Sequence, residues 1–345
     1  MSSKSNEPFL VPAIVFAVFL LGALGAWFLK VPSTKEQLGY RGTGMETVTN
    51  KRTAAATAAL NAVPEALPAE DAGGKRASEV YQNVKVLGHL SEAQFNRVML
   101  AITEWVSPEQ GCAYCHGEDA TFAKDDLYTK VVARRMFQMN YHINEKWQNH
   151  VGQTGVTCYT CHRGKPVPDN IWFNEPASRQ STRALGNDNG QNRAGVEVAA
   201  YSSLPYDPLT PFIEKDAEIR VIGKEALPHG NRQSIKQTEW TYSLMMHMSE
   251  SLGQNCTFCH NTRSFAEWDQ SRSQRTTAYH GIRMARDLNA AYLTPLQPTY
   301  PATRLGPGGD APKANCATCH QGANKPLGGV SMIKDYPELS KSGGN

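Results

Sequence analysis

No cysteine in this 345-residue chain stands outside one repeated pattern. All eight fall in C-x-x-C pairs, so none is left for a disulfide, a lipid anchor or a lone nucleophile. Charge of one sign is also lacking. Thirty-five Lys+Arg against 32 Asp+Glu leave a formal charge of +3, short of the basic excess of a dedicated nucleic-acid binder, and no nucleic-acid partner is expected. Long apolar runs are scarce: there is one. With 40% hydrophobic residues and a mean hydropathy of −0.46, the chain is neither a polytopic membrane protein nor a collagen-like or wholly disordered one.

What is present is a motif, four times over. Cys112-Ala-Tyr-Cys115-His116, Cys158-Tyr-Thr-Cys161-His162, Cys256-Thr-Phe-Cys259-His260 and Cys316-Ala-Thr-Cys319-His320 each read C-x-x-C-H. This is the attachment signature of c-type haem. Two thiols at this spacing form thioethers to the two vinyl groups of one porphyrin, and the adjacent His reaches the iron. A zinc site would pair C-x-x-C segments without a fixed His, and a redox disulfide leaves the repeated His unexplained. Four covalently attached haems c are therefore expected, with about 86 residues for each. So little protein per cofactor places the haems close together, as a wire for electrons.

Phe9 to Leu29 is the apolar run, 21 residues without a charge. As a helix it spans roughly 30 Å, the hydrocarbon thickness of a bilayer. Trp27 and Lys30 suit the interface at its far end, and Pro12 falls in the first turn of a helix begun at Phe9. A cleaved signal peptide usually has an apolar core of only about 7–15 residues. We read the run as an uncleaved single-pass anchor, with residues 1–8 cytoplasmic and the haem domain periplasmic, where haem c is attached. Residues 30–76, rich in Ala, Thr, Gly and Pro, read as an extended tether.

The rest reads as mainly α, with little β and two pseudo-symmetric two-haem halves, 77–166 and 239–335. A connector spans 167–238 and a tail 336–345. Ser91 to Val106 carries apolar residues at helical spacing, with Ser91 and Gln94 as a capping box. Glu239 to Leu252 repeats the plan before the third motif, with Gly253 as its stop. Leu127–His150 and Thr276–Leu293 read as helices leading to the second and fourth motifs. Thr160-Cys-His-Arg-Gly and Thr318-Cys-His-Gln-Gly match in their tails.

Each iron needs a sixth ligand, Met raising the potential and a second His lowering it. Met99, Met136 and Met245 stand 17, 26 and 15 residues before His116, His162 and His260. Met on an apolar helix face is more often core filler, but here the position recurs before three motifs. Met139, Met246 and Met248 lie within a turn as rivals. For the last haem, His150 ranks first among the histidines outside the motifs, and Met284 is a distant Met.

Four motifs in two tandem halves with these spacings resemble the tetrahaem cytochrome subunit of the purple-bacterial photosynthetic reaction centre, over roughly residues 75 to 335. The resemblance implies sixth ligands Met99, Met136 and Met245 for the first three haems and a bis-histidine fourth haem with His150. It implies a nearly linear row in the order third, fourth, second, first, counted from the bacteriochlorophyll special pair, with potentials alternating high and low. It implies partners: the L and M subunits, with H, a soluble cytochrome c or other small periplasmic donor, membrane lipid and, where present, a light-harvesting ring. The location implied is the inner photosynthetic membrane. Many relatives carry a lipid-modified cysteine at the mature amino terminus; here the apolar helix would replace it.

Three functions compete. An electron-transfer subunit needs no catalytic residue. A membrane-anchored respiratory cytochrome, quinol dehydrogenase or electron distributor, needs a quinone pocket. A multihaem reductase needs one open sixth position, which carbon monoxide would detect. Residues 78–130 hold Glu79, Glu92, Glu104, Glu109, Glu118, Asp119, Asp125 and Asp126 against Lys85, Arg97, Lys124 and Lys130. That excess reads either as an acidic cap that steers a basic donor or as an ordinary solvated surface. Arg134, Arg135, Arg163, Arg263, Arg283 and Arg286 are candidates to pair with haem propionates, and removing one should lower the midpoint of its haem.

Overall fold

The computed structural model describes residues 7–39, 45–118, 122–174, 204–221 and 234–341. The chain opens with α1, Glu7–Leu29. It begins before Phe9, so Pro12 lies in the second turn and removes one i→i−4 bond instead of a terminal N–H that had no partner. Its described side chains stand out from the protein, Phe19 78% and Trp27 70% exposed. Among the described residues, no helix is long and apolar enough to cross a membrane. The side chains of residues 7–10 and 28 lie outside that description, so of the 21-residue run only part is assessed.

The segment expected as an extended tether contains regular structure. β1, Ser33–Gln37, pairs antiparallel with β2, Glu46–Asn50, from Ser33↔Asn50 to Gln37↔Glu46. Then α2, Lys51–Leu60, starts on Asn50, whose side chain accepts from Arg52 N. No apolar periodicity announced these elements, because contacts made elsewhere hold them. The Glu46 carbonyl accepts from Asn255 Nδ2, Leu327 N donates to Asn61 Oδ1, and Leu67 N donates to the Tyr336 hydroxyl.

Beyond the short α3, Ala77–Val80, the long helices follow the sequence pattern. In α4, Glu92–Val106, Ser91 and Gln94 form the expected capping box, and Val98, Ala101 and Trp105 are buried. The first motif supplies α5, Ala113–His116. Leu127–His150 divides at Trp147 into α6, Tyr128–Lys146, and α7, Gln148–Val151. The second motif is α8, Cys158–His162. The helix expected from Glu239 starts earlier, as α9, Ile235–Leu252, because Ser234 and Gln237 form a second capping box. Gly253 ends it at φ 60°. A side chain at Gly253 would strike the Gly322 carbonyl, so both the turn and the close approach require glycine. The third motif is a 3-10 turn at Cys256–Phe258. The next helix is α10, Ser273–Leu288, which loosens into a π turn through Leu293, and the fourth motif is α11, Cys316–His320.

Three apolar cores hold these elements. The first joins Val98 and Trp105 of α4, Phe137 and Tyr141 of α6, and Leu327, Met332, Tyr336 and Leu339 from the end of the chain. The second joins Leu209, Phe212 and Ile213 of the connector to Leu244 of α9 and Ile282 of α10. The third, Ile143 with Met284 and Leu288, sits where α6 meets α10. Leu327 and Met332, from the stretch expected to belong to a second half, thus pack against α4 and α6.

Candidate haem centres

Each motif histidine sits at or just past the end of a one-turn helix, and local capping fixes two of these turns. Thr157 with Thr160, and Asn315 with Thr318, form capping boxes at the second and fourth motifs. Both turns close on a left-handed residue, Arg163 at φ 48° and Gln321 at φ 46°. His162 Nδ1 lies 2.9 Å from the Lys165 carbonyl, His260 Nδ1 3.0 Å from Phe265 O and His320 Nδ1 2.9 Å from Ala323 O. Each Nδ1–H donates to that oxygen, which fixes the ring and leaves Nε2 free to bind a metal. His116 differs: its Nδ1 is buried without a well-formed hydrogen bond among the described residues.

Burial lowers the pKa of all four rings, His320 down to about 4, and so favours the neutral, ligating form. The thiols respond in the opposite sense. Burial pushes Cys158 and Cys316 up to about 12 and Cys115 up to about 11.

A cavity of about 1430 Å³ connects the motifs. Its wall includes both cysteines of the first, second and fourth motifs and Cys259 of the third, with mostly apolar side chains between them. A pocket for one small ligand has roughly 300–1,000 Å³, so this space suits more than one large apolar group. Among the described residues no group of three His, Cys, Asp or Glu is placed to hold a bare metal ion. The second and fourth motifs are adjacent: Cys161 Sγ lies 2.9 Å from Cys319 Sγ, and the Arg163 guanidinium donates to the Cys319 carbonyl.

His150 lies on α7, and its ring stands 6.0 Å from that of His320, centroid to centroid. Two imidazoles bound to one metal through nitrogens at about 2 Å have centroids roughly 6 Å apart, so the pair fits an iron between them. His150 Nδ1 donates to the Thr277 carbonyl at 2.9 Å. Gly281 leaves room for the ring, since a Cβ there would lie 2.5 Å from His150 Cε1. Thr277 and Gly281 lie 127 and 131 residues beyond His150, with nothing local to announce them.

The methionines are less sharply separated. Met99 and Met136 line the cavity, but so does Met139. On α9, Met245 packs against the second core and is absent from the cavity wall, which Met248 reaches. Met284 also lines the cavity, buried in the third core.

The charges are arranged differently from their sequence tally. Asp125 is held by Arg134 at 2.8 Å, Lys85 at 3.1 Å and Lys130 at 3.3 Å. Arg134 above all, then Lys85 and Lys130, keep its carboxyl far below the usual range. Arg97 points inward to Glu338, and Asp119 lies outside the described residues. The acidic excess around the first motif therefore loses Asp125 as a free anion. Among the arginines considered for propionates, Arg134 and Arg286 are engaged by Asp125 and Asp216, and Arg163 by backbone carbonyls. Arg286 retains a buried Nε without a partner, as does Arg272 at one terminal nitrogen, and the sequence reading had passed over Arg272.

The model of the photosynthetic reaction centre cytochrome C subunit family matches residues 30–340. The chain belongs to this family. It is 53% identical to the reaction-centre cytochrome c subunit of Rubrivivax gelatinosus, over 92% of this chain and 86% of that one. It is 51% identical to the subunit of Thermochromatium tepidum, over 95% and 79%, and 43% identical to that of Roseobacter denitrificans, over 95% and 93%. The subunit carries covalently bound haem c and transfers electrons within a membrane-associated photosynthetic reaction centre; it is not an enzyme. The family match begins at residue 30, immediately after α1.

Proposed function

We propose that the subunit binds four haems c in two pseudo-symmetric pairs and passes electrons from a soluble periplasmic donor to the photo-oxidised special pair. In this reading the axial ligands are His116 and Met99, His162 and Met136, His260 and Met245, and His320 and His150. The observation that carries it is the facing pair His150 and His320, 6.0 Å apart, drawn from different helices and 170 residues apart in sequence. The contact of Cys161 with Cys319 supports adjacent second and fourth haems, in keeping with the order third, fourth, second, first. The matching caps and left-handed closures of α8 and α11 support a duplicated two-haem unit.

The third motif is the end proposed to face the special pair and the L and M subunits. Cys256 is exposed there, and Phe265 and Trp268 are 44% and 46% exposed nearby. Exposed aromatics beside an exposed motif cysteine suit a face covered by protein. α1 is proposed as a single membrane-spanning anchor, amino terminus cytoplasmic, supported by the uncharged run Phe9–Leu29 within it and by outward apolar side chains.

Chemically the haems supply one-electron storage. The chain's own residues hold the rings, fix the ligand tautomers and exclude water from an apolar interior. Flash spectroscopy on membranes washed free of soluble cytochromes tests the assignment. Haem oxidation matched to recovery of the bleached dimer is expected, with four haem equivalents per dimer in redox titration. A dimer that recovers with no haem signal, although the subunit is present, overturns it in favour of a respiratory role.

A further inference from the structure

The end of the chain, residues 326–341, carries no haem motif, yet it grips both helices that bear the proposed ligands of the first two haems. On α4, Arg97 stands two residues before Met99. Its guanidinium pairs with Glu338 at 3.1 Å, both side chains only 3% exposed, and donates to the Asp335 carbonyl at 2.7 Å. The same guanidinium lies over the Tyr336 ring, 4.0 Å from its centroid, and that ring meets Trp105 edge-on at 4.6 Å. On α6, Asn140 lies one turn beyond Met136. Asn140 Nδ2 donates to the Leu339 carbonyl at 2.8 Å, Tyr141 Oη to Glu338 O at 3.1 Å and Asn144 Nδ2 to Leu339 O at 3.0 Å. Residues 67 and 68 complete the grip, their carbonyls accepting from Arg97.

One short segment therefore ties α4 to α6 within about a turn of each methionine. A thioether is a weak, neutral ligand, and its bond to iron depends on the helix being held at the right distance. We propose that the carboxy-terminal segment, acting through Glu338, is a positioning element for the sixth ligands of the first and second haems. This rests on the reading of Met99 and Met136 as those ligands. Glu338 touches no haem in this role; it keeps Arg97, and hence α4, docked against the segment that also holds α6. Removing its charge leaves a buried guanidinium without its carboxylate, and α4 moves to hydrate it.

The test uses the intact reaction-centre complex. Haem content, the red charge-transfer band of methionine-ligated ferric haem and carbon monoxide uptake by the reduced complex are measured together. Glu338→Gln should keep its haems, lose up to two haem equivalents of the band and gain carbon monoxide binding at the same haems. If Glu338→Gln assembles too little complex, Tyr336→Phe removes only the hydroxyl that binds Leu67 N and should show the same change in smaller degree. An unaltered band in Glu338→Gln with no carbon monoxide uptake overturns the proposal. Met99→Ala and Met136→Ala separate the two readings. If each loses one equivalent while Glu338→Gln loses none, positioning fails; if neither loses any, the ligand assignment fails.

Discussion

Gly281 of α10 borders the ring of His150 so closely that a methyl group there would sit 2.5 Å from His150 Cε1. A glycine with ordinary helical φ is thus required by its neighbour, because the imidazole occupies the space that a side chain would fill. Gly281→Ala should push His150 away from His320 and open one iron. Since a second histidine lowers the potential, its loss should raise the midpoint of the fourth haem. Carbon monoxide should then bind one haem equivalent, measured by difference spectroscopy beside a redox titration. A titration curve and spectrum unchanged from the parent would mean that His150 is not held by this contact.

On α9, Met245 and Met248, two of the three methionine candidates, can be separated directly. Met245→Leu should remove one equivalent of the methionine charge-transfer band and lower one midpoint. Met248→Leu, a near-isosteric change in the cavity wall, should cost less than about 1.5 kcal/mol of stability and leave the band intact. The reverse result would move the ligand one turn along the helix to the residue that reaches the cavity.

The Arg97–Glu338 pair should behave as buried ion pairs do. Arg97→Met alone leaves a carboxylate without its partner and should destabilise the subunit by about 3–5 kcal/mol. Arg97→Met with Glu338→Leu should recover only part of that, because the carbonyls of Leu67, Pro68 and Asp335 still lose their donor. Thermal unfolding of the complex, followed through the haem absorption, gives the comparison.

Asp125 links stability to pH in a defined direction. Its folded pKa is depressed, by Arg134 first and then by Lys85 and Lys130. Its contribution is therefore complete above the ordinary aspartate range, near pH 4, and is lost as pH falls toward the depressed value. Asp125→Asn should reduce stability at neutral pH and flatten the acid limb of the stability profile, as read by haem absorbance during acid titration. The carboxylate is about a third exposed, so solvent screens the effect and it should be modest.

The legible part of this protein is the part written in short-range spacing. The C-x-x-C-H motifs, the Ser91–Gln94 cap and the Gly253 stop are each complete within a few residues. His150 ranks first for the last haem from its place at a helix end near the second motif, and the family resemblance implies the same pairing with His320. Less could be read where distant residues decide. The hairpin and the end of α2 are tied to Asn255 and Leu327, which lie far along the chain. The neutralisation of Asp125 needs Lys85, 40 residues earlier, and Arg134 on α6, which a charge tally treats as uniform surface. Ser234 was missed as a helix start because the apolar stripe on α9 begins one turn later.

The chain's last turn fills the core formed by its earlier helices, and this orders events in time. In a polypeptide made from its amino end, Leu327, Met332, Tyr336 and Leu339 emerge after every other member of that core. The core that joins α4 and α6 is incomplete while they are missing. Its closure therefore waits on residues that follow the fourth C-x-x-C-H segment in the chain.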